Sequence, residues 1–193
     1  PGAILGLRSL EGPLMLSRRS LLVLALATSV SACATAPQFS AMQGPRGIVL
    51  ERDFAGRSYA KGVFTNRVTG AKRGLTVVLD GRVRGDTLTL REAFTYSDGE
   101  KDVKTWVFRR TGPGRYAGTR EDVVGEAAIT TEGNGVRLSY DVDLPTGAGP
   151  VRVHFEDVIE RNGDGVIVNR AIVSKLGVPI GDVDLVFSRR PLR

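Results

Sequence analysis

The chain has 193 residues, 41% hydrophobic and 25% charged, which suits a single domain and excludes a large multidomain enzyme, a disordered polymer and a collagen-like repeat. Twenty-seven Lys plus Arg against 21 Asp plus Glu give a net charge of +6, which raises the question of a nucleic-acid or membrane-surface partner. One Cys excludes an intramolecular disulfide, and one His excludes a multi-His metal site.

Residues 1–14 precede Met15 and begin with Pro; they read as upstream translated residues outside the fold. Residues 15–32 read as a lipoprotein signal peptide. Ser17-Arg18-Arg19 is the positive region, Leu21 to Ala27 is an apolar core too short to span a bilayer, and Val30-Ser31-Ala32-Cys33 resembles a lipobox. The single Cys stands where acylation requires one, so Cys33 is the expected lipidation site and the membrane is the expected partner. The twin arginines allow a twin-arginine signal, although a basic n-region of the general secretion route fits as well. No Asp follows Cys33, which favours the periplasmic face of the outer membrane over the inner membrane. Residues 33–47, rich in small residues, Pro and Gly without periodicity, read as a flexible tether.

From Ile48 to residue 190 the pattern is that of one all-β domain. Leu75–Leu79 opens a run of short strands. Leu88, Leu90, Phe94 and Tyr96 share a face, with Glu92 in its middle. Val103–Arg109, Arg115–Thr119 and Glu126–Thr131 follow. Val136–Leu144 alternates apolar and polar residues at every position. Val151–Ile159 does the same, except that Asp157 falls in the apolar set. Val166–Val173 and Val183–Ser188 complete the series. Asp80-Gly81, Asp98-Gly99, Asn134-Gly135 and Asn162 to Gly165 are the expected hairpin turns, and Ser174 to Gly181 reads as a loop crossing one end. About eight to ten antiparallel strands in an up-and-down meander must close or expose long edges. A lipocalin-like barrel is therefore expected, with a two-sheet β-sandwich as the alternative.

The ordered set Phe54-Ala-Gly56, Gly62-Val-Phe64, Asp86-Thr-Leu-Thr-Leu90, Trp106, Tyr116-Ala-Gly118, Glu121-Asp122-Val-Val-Gly125, Tyr140-Asp-Val-Asp-Leu-Pro145, His154-Phe-Glu-Asp157, Asn169-Arg170-Ala171 and Lys175-Leu-Gly177 resembles the domain-of-unknown-function 3833 family of Gram-negative bacterial lipoproteins, over about residues 50–190. The resemblance implies a lipid-anchored periplasmic domain similar to calycin barrels, with no established activity.

An inward carboxylate needs a partner or loses its charge. Asp157 is expected to meet Asn169 or Arg170 across a hairpin, and with Glu92 and Lys175 it forms a candidate interior polar cluster. Such a cluster orients a ligand head group, or fixes strand register as a structural ion-pair network. Trp106 is a candidate aromatic wall or core filler, and Asp122 a turn cap or ligand contact. His154 should face solvent, and no nucleophile motif accompanies it. Asn162-Gly-Asp164-Gly165 lacks the downstream ligand of a calcium loop, so no metal and no cofactor are expected.

Three functions fit. The first is a carrier of a small apolar or amphipathic, lipid-like ligand. The second is an enzyme acting on a lipid-derived substrate through Asp157, Arg170 and Glu92. The third is a structural envelope protein with a filled core. Removing residues 1–32 takes away Arg8, Arg18, Arg19 and Glu11 and lowers the net charge to +4, with Arg189, Arg190 and Arg193 at the far end. The remaining charges are interleaved and carry no stacking aromatic stripe, so nucleic acid is not an expected partner.

Overall fold

A computed structural model describes residues 36–147 and 149–192. The expectations for residues 1–35, including the signal peptide and Cys33, lie outside the described residues. Ten antiparallel strands form a closed barrel in simple meander order, each paired to its neighbours in sequence and β1 to β10. They are β1 (Gly56–Asn66), β2 (Lys72–Arg84), β3 (Thr87–Tyr96), β4 (Lys101–Gly112), β5 (Arg115–Thr119), β6 (Ala127–Glu132), β7 (Gly135–Leu144), β8 (Val151–Arg161), β9 (Ile167–Lys175) and β10 (Val178–Ser188). Closure leaves no sheet edge, so the barrel expectation holds over the sandwich.

A one-turn helix, α1 (Leu50–Asp53), lies at the end where β1 begins. Leu50 and Phe54 are buried and join the core, and Phe54 meets Phe187 edge to face at 5.3 Å. Asp53 holds the turn: its Oδ2 accepts from the Val49 amide at 2.8 Å, and its carboxylate pairs with Arg52 and Arg161. Arg189 donates to the Asp53 and Ala55 carbonyls at 2.8 and 2.6 Å. This end is closed.

Three expectations are corrected. Asp80-Gly81 is not a turn; it lies inside β2, and the hairpin closes at Gly85-Asp86. A Cβ on Gly81 would stand 1.8 Å from the Phe54 carbonyl oxygen, so glycine serves there for the approach of α1. Ser174 to Gly181 is not a crossing loop. β9 and β10 meet in a tight turn at Leu176-Gly177, both residues at positive φ, and Pro179 is accommodated where the β9–β10 register shifts. The tether reading is corrected for residues 36–47, which contact the barrel: the Gly44 amide bonds the Arg161 carbonyl at 2.8 Å and Gln43 bridges to Asn162. Phe39 packs on Gly135, where a Cβ would come within 2.2 Å of its ring.

This strap also buries an acid on the barrel's outer surface. Glu160 is 0% exposed. It accepts from the Ser40 amide and hydroxyl and from Gln43, and it pairs with Arg170 at 2.6 Å. These donors outweigh burial and hold its pKa below the ordinary value. Elsewhere the outer faces carry exposed pairs such as Arg57–Asp80, Arg67–Asp182 and Arg152–Asp143. Among the described residues no helix is long and apolar enough to cross a membrane.

Candidate functional site

Packing inside the barrel is uneven along its axis. Near α1 the inward residues are fully packed: Leu79, Leu88, Leu90, Phe108, Ile129 and Val136 are all buried. Toward the opposite end, the inward Glu92, Phe94 and Tyr96 of β3, Phe155 and Val151 of β8, and Phe64 of β1 keep accessible surface. The interior thus has a solid floor, and toward the turns that follow β1, β3, β5, β7 and β9 it forms a shallow cup confined to β1, β3 and β8, since Leu75, Val77, Val142, Val153 and Val173 are buried at that end.

Charged residues collect at the level where packing gives way. Strand parity puts Trp106 and Lys104 of β4 on the inner face, and Glu92 opposite Lys104 in the ladder. Arg120, one residue past β5, continues the inward series of Tyr116 and Gly118. Its side chain is 12% exposed and its Nε donates to Asp122 Oδ1 at 2.6 Å. The guanidinium lies 4.7 Å from the Trp106 ring centroid and 5.7 Å from that of Tyr140, a cation–π arrangement in a desolvated place. Tyr140 stacks on Phe155 and meets Trp106 edge-on. Lys104 Nζ lies 3.3 Å from Asp122 Oδ2 and from Asp102.

Two carboxyls face this cation with few partners. Asp157 is 7% exposed; Asn169 donates to its Oδ1 at 2.8 Å, and among the described residues its buried Oδ2 has no partner in good hydrogen-bond geometry, although the Tyr140 hydroxyl is near enough to favour its charged form. Burial pushes the Asp157 pKa up to about 6, against the pull of Asn169, the Tyr140 hydroxyl and Arg120. Glu92 keeps some accessible surface, yet the surrounding protein desolvates it and pushes its pKa up to about 7, with Arg120 opposing and Asp157 and Asp122 adding. Asp122 behaves oppositely: Arg120 and Lys104 overcome its burial and hold it below the usual carboxylate range. Arg120 itself is raised, since the charges around it outweigh its desolvation. Perturbed carboxyls of unequal pKa grouped in this way occur in functional sites and in structural ion-pair networks alike.

Of the residues singled out in the sequence, Glu92, Trp106, Asp122, Asp157 and Asn169 come together here. Arg170 does not. In β9 the buried inner positions are Asn169, Ala171 and Val173, so Arg170 points outward to Glu160. Lys175 is exposed beside the β9–β10 turn. The Asp157–Arg170–Glu92 constellation is therefore not assembled, and Arg120 and Tyr140 take the places next to the acids. His154 lies on the outer face between Asp141 and Glu156, which raise its pKa against its partial burial. Among the described residues no three His, Cys, Asp or Glu side chains converge on a metal position.

A family model described as "Protein of unknown function (DUF3833)" matches residues 27–189. No curated protein matches the chain. Among solved structures the barrel is similar to an S-type phycobiliprotein lyase from Guillardia theta, with a TM-score of 0.57 and 13% identity over 81% of this chain and 100% of that one. At that identity the likeness concerns the fold.

Proposed function

The chain belongs to the DUF3833 family, and we propose that it is a lipid-anchored envelope protein whose barrel binds a small amphipathic molecule. The apolar part lies along Phe155, Phe94 and Val151, and the polar group sits at Glu92 and Asp157. The observation that carries this reading is the Asp157 Oδ2 atom, buried without a partner in good hydrogen-bond geometry among the described residues, at the foot of a cup in which Phe64, Phe94, Tyr96 and Phe155 keep accessible surface. Leaving such an atom unmatched costs about 1–3 kcal/mol, and a ligand hydroxyl or amide would recover it. A barrel of about eight strands is just wide enough to be filled by side chains or to hold one small ligand, and this one has ten strands.

Trp106 is the single tryptophan of the chain and reports on the cup floor. Titration with 9,10-dibromostearamide, whose bromines quench indole on contact, is expected to quench Trp106 emission saturably at one molecule per barrel. Asp157→Leu, which removes the acceptor, should weaken that binding about tenfold. Emission that the brominated amide leaves unchanged would refute an accessible interior.

Cys33 is proposed as the acylated residue, and two or more acyl chains would hold the protein firmly to the outer membrane. Cys33→Ser is expected to move the protein from the membrane pellet to the soluble fraction of the host cell. Retention of the variant in the pellet would rule out this anchor.

A further inference from the structure

The closed end carries a second cavity, separate from the cup. A cleft of about 420 Å³ opens beside α1, within the range of small-molecule sites. Four guanidinium groups line it, those of Arg46, Arg52, Arg161 and Arg189, with Asp53 as the single acid. Asp53 is already occupied, its oxygens taken by Arg52, Arg161 and the Val49 amide. The lining therefore holds an excess of three positive charges.

Two of its polar atoms are orphaned. Ser58 is 4% exposed and among the described residues its hydroxyl has no hydrogen-bond partner; neither has the buried Nε of Arg161. Both residues line the cleft although these two atoms lie beneath its surface, and a hydroxyl and a guanidinium N–H left unmatched beside the exposed Arg46 are groups that an oxyanion would satisfy. The donors come from three directions: the segment before α1, strand β1 and the end of β8. A planar carboxylate is satisfied by one fork, whereas donors converging from three elements suit a tetrahedral group. A phosphate monoester carries about −1.5 to −2 charges at neutral pH, which the excess of guanidinium matches. Phe187, on the same wall and only partly buried, offers an apolar surface to whatever the phosphate is attached to, with the buried Phe54 edge-on behind it.

We propose that this cleft binds a phosphate monoester whose organic part rests on Phe187, independently of the ligand in the cup. Two sources share that chemistry, a soluble organic phosphate and the head group of phosphatidic acid.

Calorimetric titration of the full chain with phenyl phosphate is expected to show one saturable site, tighter than for inorganic phosphate by about threefold or more through the ring contact. Arg46→Gln and Ser58→Ala should each weaken it about tenfold. Arg46 makes no ion pair among the described residues, and Ser58→Ala removes an unsatisfied hydroxyl, so neither variant should lose thermal stability. Competition of phenyl phosphate by phosphatidic acid vesicles but not phosphatidylcholine vesicles would support the site with a lipid head group. Binding of phenyl phosphate without vesicle competition would support it with a soluble ester. Absence of saturable binding by the wild type, or binding that both variants leave within twofold, would overturn the proposal. Trp106 lies inside the barrel and does not line the cleft, so failure of one site is distinguishable from failure of the other.

Discussion

Replacing Arg120 by alanine is expected to destabilise the barrel by about 3–5 kcal/mol near pH 8, the range for removing one partner of a buried charge pair. The side chain is nearly enclosed, and it serves Asp122 at 2.6 Å while lying over Trp106. Without it Asp122 keeps only Lys104, at 3.3 Å, and Glu92 and Asp157 lose the cation that opposes their burial. The loss must therefore depend on pH. In the variant these carboxyls hold their protons to still higher pH, and a protonated acid does not need the missing charge. Urea unfolding at pH 5 should show a smaller deficit than at pH 8. Arg120→Met keeps a long apolar stem against Trp106 and separates packing from charge; it should lose nearly as much as alanine at pH 8. A deficit under about 1 kcal/mol, or one equal at both pH values, would mean that Arg120 does not hold the cluster together.

The residues at the centre of that cluster differ in how readable they were. Glu92 and Asp157 stand out because they break the apolar set of otherwise strict period-two strands, and the structure places both inside. Asn169 follows from the β8–β9 register. Arg170 was misplaced because Val168-Asn169-Arg170-Ala171 has no hydropathy alternation, so one residue of parity could not be decided, and the outward side was hidden by a strap that reads as linker. Arg120 escaped notice since it stands past a five-residue strand, in a stretch that looks like a turn. Extending the parity of Tyr116 and Gly118 by two positions would have found it.

The same limits apply to the fold. Strand β1 has no sequence signal, because its inner face runs Ser58, Ala60 and Gly62 before reaching Phe64, and three small residues mark no apolar period. A Cβ on Gly62 would fall 1.8 Å from the Asp184 carbonyl oxygen. Asp80-Gly81 carries strong turn chemistry, yet the glycine answers a contact with α1, far away in the chain. Local propensity yields to tertiary approach in such places.

Glu92→Gln is expected to stabilise the protein by about 2–3 kcal/mol at pH 8 and to change it little at pH 5. Burial raises the Glu92 pKa from 4.5 to about 7. Between those values the folded chain keeps a proton that the unfolded chain has lost, so stability falls as pH rises through that window and levels off above it. Each unit of difference is worth about 1.4 kcal/mol. Asp157, raised from 3.8 to about 6, adds a fall over its own lower window. Asp53, Asp80, Asp98 and Asp143 have lowered pKa values and act in the opposite sense. Their contribution is complete above the ordinary carboxylate range and is lost in acid. The wild type should therefore be most stable near pH 5 and weaken toward neutrality, and glutamine, which keeps the volume of the protonated acid without its titration, should flatten the alkaline side. Guanidinium unfolding across pH 4–9 tests this, and an unchanged slope between pH 5 and 8 would show that Glu92 is not the titrating group. The same variant connects stability to function. An acid that destabilises the barrel at the pH where it operates is retained at a cost, and such costs concentrate where a site must bind or react. Glu92→Gln should accordingly be the more stable protein and the weaker binder of the brominated amide, because the ligand's polar group then meets a neutral amide in place of a carboxylate.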